Sequence, residues 1–234
     1  MKEQLERTAM LLGEDAVERL RHMHVAIVGL GGVGSYAAEA VARAGVGEIT
    51  LVDCDTVSVT NLNRQLCALH STVGLRKTKV TARRLADIDP DIRLHPLELF
   101  YTPETRDMLF SQHFDYMIDA IDTVSAKTDL ICSALVRDIP IVSALGTGNK
   151  LHPEYLRFAD IYETSVCPLA RAMRRELRKR GVAAHRVLYS TEPPRGMTGS
   201  ADGRNYPGSS AWVPGCAGLM LAGFVVTALS GIQD

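Results

Sequence analysis

Between residues 53 and 122 the chain carries side chains suited to holding a polyphosphate: Asp53, Asn61, Arg64, Lys77 and Asp122. A guanidinium grips two anionic oxygens at once and an ammonium adds a point charge, so Arg64 and Lys77 can neutralise a departing pyrophosphate. Asp122 ends Tyr116-Met117-Ile118-Asp119-Ala120-Ile121-Asp122, which reads as a buried strand. A carboxylate at such a strand end can hold Mg2+ that bridges phosphate oxygens. Alternation along the strand puts Asp119 and Asp122 on opposite faces, so Asp122 is taken as the ligand and Asp119 as structural. Each residue also has an ordinary reading. A cation near a helix start is commonly a solvated charge, and an acid after a strand commonly caps a helix. The expectation rests on their occurring together.

The elements that must position this set begin at Val25-Ala26-Ile27-Val28, a buried parallel strand that runs into Gly29, Gly31, Gly32 and Gly34. The first glycine suits a tight turn, the second lets backbone approach a phosphate, and Gly34 lets helix pack on strand. An alanine-rich helix follows from Tyr36 to Ala44, stopped by Gly45, and its amides face the anion. The next strand, Glu48 to Asp53, ends in an acid 19 residues past Gly34, where it can accept bonds from ribose hydroxyls. Glycine spacing alone does not separate a dinucleotide from ATP. Hydride transfer, however, leaves Asn61, Arg64 and Lys77 without a task, and a non-catalytic nucleotide-binding scaffold has no need of the acid and cation set.

Further strands are expected over 92–99, 116–122, 140–144, 155–161 and 186–191. Helices are expected over 74–88, 124–137 and from Pro168, with two short ones in 3–21 interrupted near Gly13. Alternating strands and helices imply an α/β, Rossmann-like, doubly wound, mostly parallel sheet. The layout is one domain over 1–234, with 1–150 binding nucleotide and 151–234 as a substrate-facing and dimer-forming extension. Residues 193–210 read as a long Gly/Pro/Ser loop.

With 46% hydrophobic residues, 23% charged and net charge −1, the chain is an ordinary globular protein without global attraction to nucleic acid. Its 5 cysteines form no C-x-x-C pair, and its 7 histidines show no metal-ligand spacing, so neither a disulfide scaffold nor a zinc site is expected. No signal peptide is apparent, and the apolar run 217–229 is taken as a core helix too short to span a bilayer. A cytoplasmic protein with no membrane partner is the expectation. One local feature stands out against this neutrality. From Pro168, an apolar stripe of Leu169, Met173 and Leu177 leaves Arg171, Arg174, Arg175, Arg178 and Lys179 on another face, read as a phosphate-binding surface without compensating acids. Cys167, just before this helix, is either a thiol activated by the helix N-terminus or a packed one; the packed reading is preferred.

Taken together, Gly29-x-Gly31-Gly32-x-Gly34-Ser35, Asp53-x-Asp55-x-Val57, Asn61-x-x-Arg64-Gln65, Lys77 and Asp119-x-x-Asp122 resemble the adenylating domain of the ubiquitin-activating-like superfamily. The resemblance implies that Asp53 holds ribose, that Asn61, Arg64 and Lys77 surround the phosphates, and that Asp122 is the essential metal-linked acid. Arg7, in Glu6-Arg7-Thr8-x-x-Leu11-Leu12-Gly13, matches an N-terminal arginine that reaches into the partner subunit's ATP site, so a homodimer is implied. Gly146-Thr147-Gly148-Asn149-Lys150, Ser165-Val166-Cys167-Pro168-Leu169 and the absence of paired C-x-x-C motifs are most similar to the branch that dehydrates threonylcarbamoyladenosine in tRNA. That branch implies ATP and Mg2+, no zinc, adenylation of the nucleoside's carboxylate, ring closure by the carbamoyl nitrogen, and tRNA contact through the basic helix. Because the attack is intramolecular, no protein nucleophile is required. The alternative is activation of the C-terminal glycine of a ubiquitin-like sulfur-carrier protein, and a cysteine desulfurase or sulfur-acceptor protein stays open as a partner.

Overall fold

Residues 2–196, 198–201 and 204–232 are described in the computed structural model. Gly13, with φ +88°, splits the N-terminal segment into α1 (Glu6–Leu12) and α2 (Glu14–Leu20), which join Leu5, Ala9 and Val17 in a small cluster. There follow β1 (His24–Val28), α3 (Gly34–Arg43), β2 (Glu48–Asp53), α4 (Lys77–Ile88), β3 (Arg93–Glu98), α5 (Arg106–Leu109), β4 (Tyr116–Asp119), α6 (Val124–Leu135) and β5 (Ile141–Ala144). The C-terminal half adds β6 (Leu156–Asp160), α7 (Pro168–Lys179), β7 (Arg186–Ser190), a hairpin of β8 (Thr198–Ala201) and β9 (Arg204–Pro207), and α8 (Trp212–Ser230).

The main sheet runs β3-β2-β1-β4-β5-β7-β6, parallel except where β6 returns antiparallel to β7. It is the doubly wound sheet expected from the alternation. β1 and β4 are buried on both faces and therefore read as unbroken apolar runs, whereas β3 alternates in exposure and carries Pro96 at the sheet's edge. One face is covered by α3 and α8 around Val25, Ile27, Val41, Val213 and Leu221; the other by α6 and α7 around Met117, Leu130, Met173 and Leu177. Burying each such Val, Leu or Met contributes about 1.5–3 kcal/mol relative to exposure. Since β7 pairs with β5, the sheet runs without a break through the boundary placed at residue 150.

Three expectations change. Residues 193–210 are not a plain loop: β8 and β9 pair antiparallel within them. The 116–122 strand stops at Asp119, so strand alternation does not reach Asp122, which lies in the following loop. The last helix begins five residues ahead of Ala217, at Trp212, and its 19 residues are enough by length and composition to cross a membrane, so "too short" was not the right ground. Pro214 lies in the first turn, where it is tolerated because first-turn amides have no intrahelical acceptor. Here 56% of the helix's most apolar stretch is buried, and a methyl group at Gly218 would overlap the Val33 carbonyl oxygen and sit 2.8 Å from Tyr36 Cβ. Close approach of α8 to α3 thus braces the glycine turn from behind.

Candidate active site

Strand order reverses between β2-β1 and β4-β5, and a crevice opens there at the carboxyl ends of β1 and β4. Its floor is the turn from Gly29 to Gly34. Gly29 has φ +94°, and a methyl there would meet the Ala120 carbonyl oxygen at 2.8 Å; one on Gly34 would overlap the Gly29 carbonyl oxygen. Both glycines are demanded by the protein's own backbone. Gly31 differs, since its nearest neighbour would be Gln65 Nε2 at 3.9 Å. Among the described residues no other heavy atom would come within 4 Å of a methyl there, which leaves room for a ligand to approach the backbone. Gly32 faces the first carbons of Arg64 and the ring of Pro214, at 3.4 and 3.2 Å from a methyl group.

Asp53, at the end of β2, accepts from the Leu30 amide at 2.7 Å and the Asp55 amide at 2.8 Å, so its carboxylate is fixed at the crevice edge. Lys77 is not the free cation expected at a helix start. It is buried, with Nζ 2.9 Å from Asp55 Oδ2 and 3.9 Å from Asp53 Oδ1. Burial works to raise the Asp55 pKa, but the hydrogen bond and charge of Lys77 outweigh it and hold that carboxyl below its ordinary range. The pairing arises because Lys77 N–H bonds to the Asp55 carbonyl, joining the start of α4 to the end of β2.

Asn61 closes a short 3-10 turn, its Oδ1 accepting from the Ser58 amide at 3.0 Å. Its carbonyl in turn accepts from the Arg64 and Gln65 amides, and so sets where those two side chains start. Arg64 spends Nη1 on Thr60 O and Asn63 Oδ1, both at 3.0 Å. Its Nε and Nη2 make no hydrogen bond among the described residues. Gln65 was quoted in the motif but not singled out as a site residue. It is 7% exposed, and its Oε1 has no hydrogen-bond partner among the described residues, an expensive arrangement unless a ligand or water supplies a donor. Burial of that amide beside Gly31 is a tertiary fact with no local signature. Asp122 is exposed, and its one side-chain hydrogen bond among the described residues comes from Thr123 Oγ1 at 3.4 Å. Asp119, by contrast, is wholly buried against Lys127 and Ser143.

The basic helix α7 flanks α6 on the same side of the sheet. The statement that its face lacks acids is corrected: Glu176 lies 3.1 Å from both Arg175 Nε and Lys179 Nζ. Arg174 is tied inward to the Thr164 carbonyl at 2.9 Å and to Thr164 Oγ1, and Arg178 stacks 4.9 Å over the Tyr162 ring. Arg171 is exposed and makes no hydrogen bond or ion pair among the described residues. A cleft of about 370 Å³ between the two helices is lined by Thr123, Ser125 and Thr128 from one side and Arg175, Glu176 and Arg180 from the other. It therefore begins at the residue after Asp122. Cys167 is buried as the N-cap of α7, its Sγ accepting from the Ala170 amide at 3.5 Å, which is the packed arrangement preferred above. Arg7 lies exposed on α1, near the exposed Met10 and Leu11.

The sequence matches the ThiF family over residues 5–234. The chain belongs to the ThiF family. It is 42% identical to the tRNA threonylcarbamoyladenosine dehydratase of Bacillus subtilis over 239 aligned residues, covering 97% of this chain and 94% of that one. The crystal structure of the Escherichia coli tRNA N6-threonylcarbamoyladenosine dehydratase in complex with AMP superposes with a TM-score of 0.88 at 35% identity, over 95% of this chain and 92% of that one. The complex of that enzyme with ATP gives a TM-score of 0.88 at 34% identity, over 99% and 97% of the two chains. The Escherichia coli molybdopterin-synthase adenylyltransferase is 36% identical but aligns with only 55% of this chain and 51% of its own.

For this ThiF family chain, the donor set fits a nucleotide and a hard cation. The open space over Gly31 and the unpaired Gln65 Oε1 suit the first. Asp122, an exposed carboxylate without a basic partner among the described residues, suits a cation that takes one carboxylate and completes its shell with phosphate and water oxygens. The expectation about histidines needs revising: strand register brings His24, Glu48 and His95 together at the amino end of the sheet. Glu48 there is already engaged by Arg93 Nε at 2.9 Å and His95 Nε2 at 2.8 Å, so the group is a satisfied polar cluster.

Proposed function

We infer that this chain is an ATP-dependent tRNA threonylcarbamoyladenosine dehydratase. The observation that carries the reading is the cleft between α6 and α7, lined on one side by Thr123, the residue after Asp122, and on the other by Arg175 and Arg180. Similarity over nearly the whole length of the Bacillus subtilis dehydratase supports it, whereas the molybdopterin-synthase relative aligns over about half.

In this reading the nucleoside's carboxylate attacks the α-phosphorus of ATP, the bond to the β-phosphate oxygen breaks, and pyrophosphate leaves. The neighbouring carbamoyl nitrogen then attacks the acyl carbon of the resulting adenylate, AMP leaves with the carboxylate oxygen, and the nitrogen's proton passes to solvent. The net change is loss of one water from the nucleoside and conversion of ATP to AMP and pyrophosphate. Asp53 accepts from ribose with its remaining lone pairs. Arg64 turns its free Nε and Nη2 to the phosphates. Lys77 stands behind them, its ammonium held in place by Asp55. Asp122 would hold Mg2+, which supplies charge neutralisation on the phosphate oxygens.

Arg171 and the outer arginines of α7 contact the tRNA backbone, while Arg174 shapes the helix. The exposed α1 face carrying Arg7, Met10 and Leu11 packs on a second copy in a homodimer. A cytoplasmic location goes with this reading. Incubating the protein with ATP, Mg2+ and threonylcarbamoyladenosine-bearing tRNA should yield, by mass spectrometry, a nucleoside lighter by one water, and Asp122→Asn should abolish it. An unchanged nucleoside, with ATP–pyrophosphate exchange that depends instead on a ubiquitin-like carrier, would establish the other reading.

A further inference from the structure

Lys127 and Asp119 are each 0% exposed, and Lys127 Nζ lies 2.7 Å from Asp119 Oδ2. Placing two charges in the interior carries a large desolvation cost, and an apolar pair of the same shape commonly serves stability as well or better. The pair therefore calls for a reason other than stability, and the local geometry supplies one. Asp119 is the last residue of β4, and Lys127 lies in the first turns of α6, so their contact closes the loop that contains Asp122.

Each remaining bond of Asp119 bears on that loop. Its Oδ1 accepts from the Ile121 amide at 3.1 Å, a side chain to backbone turn that sets the direction of the chain immediately before Asp122. Its Oδ2 is shared between Lys127 and the Ser143 hydroxyl, the latter at 2.6 Å, which leaves Oδ1 for the turn. Lys127 Nζ also lies 3.5 Å from the Asp119 carbonyl oxygen, so side chain and backbone are held together. Beyond Ser143 the string continues to His185 Nε2 at 2.8 Å, at the start of β7. The loop itself is exposed at Asp122 and Thr123 and has no other charged anchor among the described residues.

We propose that Lys127 is a positioning residue: through Asp119 it fixes the turn that presents Asp122 to the crevice. This rests on the reading of Asp122 as the acid on the phosphate side of the adenylation site. A carboxylate displaced by about 1 Å from its productive place costs on the order of 100-fold in rate, while nucleotide binding by the glycine turn and Asp53 is untouched.

The test uses the full chain with both charges removed together, Asp119→Asn/Lys127→Met, so that no unpaired charge remains to unfold it. Circular dichroism should show a native fold, and the ATP dissociation constant measured without tRNA should stay within about 3-fold, while the rate of AMP formation falls about 100-fold. Amide hydrogen exchange over 120–124 should accelerate in the double variant. Wild-type AMP formation by a folded Asp119→Asn/Lys127→Met protein, or amide exchange over 120–124 unchanged from wild type, would overturn the proposal. An Asp122→Asn enzyme that is fully active would instead remove the reading of Asp122 and the proposal with it. A wild-type protein that forms no AMP from ATP and modified tRNA would refute the proposed function.

Discussion

Lowering the pH from 7 to 4.5 should cost the fold about 2 kcal/mol through His185 alone. The imidazole is 4% exposed at the inner end of the Asp119–Ser143 string. Burial, with the Lys127 charge behind it, pushes its pKa down from the ordinary 6.5 to about 4. Ser143 gives its single proton to Asp119, so its oxygen accepts from His185 Nε2–H, and the imidazole sits neutral; the nearby Asp160 carboxylate, which accepts from the His185 amide at 2.8 Å, opposes this but is outweighed by burial and Lys127. Between pH 6.5 and 4 the unfolded chain takes up a proton that the native one refuses. Stability is then fully present above the unfolded pKa and declines as the pH falls. The interval from 6.5 to about 4, at about 1.36 kcal/mol per pH unit, limits the effect to about 3 kcal/mol. Other groups also titrate in this range, so the measurement compares wild type with His185→Gln by urea unfolding at both pH values. The variant should show a pH-dependent loss smaller by about 2 kcal/mol. Equal losses in the two proteins, within about 0.5 kcal/mol, would mean that His185 is not held neutral by its burial.

Gly34→Ala should destabilise by about 3 kcal/mol or more, since its methyl would overlap the Gly29 carbonyl. Gly31→Ala should leave the melting temperature almost unchanged and weaken ATP binding about 10-fold by calorimetric titration; the reverse pattern would show that Gly31 serves packing. Arg171→Ala should reduce the slope of log affinity for tRNA against log salt by about one without altering stability, whereas Arg174→Ala, which frees the Thr164 carbonyl, should lower the melting temperature. An unchanged salt slope would remove Arg171 from the RNA surface. Arg7→Ala and Asp122→Asn proteins, each inactive alone, should on mixing and subunit exchange regain about a quarter of wild-type activity, because half the dimers then carry one intact composite site. Absence of any recovery would show that Arg7 does not act across subunits.

Order along the chain decided much about this protein. Alternating strand and helix patterns required a doubly wound sheet, and a glycine-rich turn after the first buried strand placed an anion site at its carboxyl end. Local backbone chemistry is enough for such features: β-branched runs, glycine spacing and an acid closing β2 act on their near neighbours. Pairing between distant side chains is different, because it depends on register and on which helices cover which face. Folding alone revealed that Lys77 is occupied by Asp55, that Arg174 turns inward while Arg171 stays out, and that Gln65 Oε1 is buried without a hydrogen-bond partner among the described residues. Strand alternation separated Asp119 from Asp122 by face, but the chain leaves the strand at Asp119, and the periodicity lapses where its hydrogen-bonding neighbour ends. The apolar run from Ala217 understated the last helix, because Trp212 to Cys216, with Pro214 tolerated in the first turn, belong to it as well. The buried Lys127–Asp119 pair was equally invisible in the chain order, since a lysine on an apolar helix becomes significant only once a carboxylate is packed beneath it.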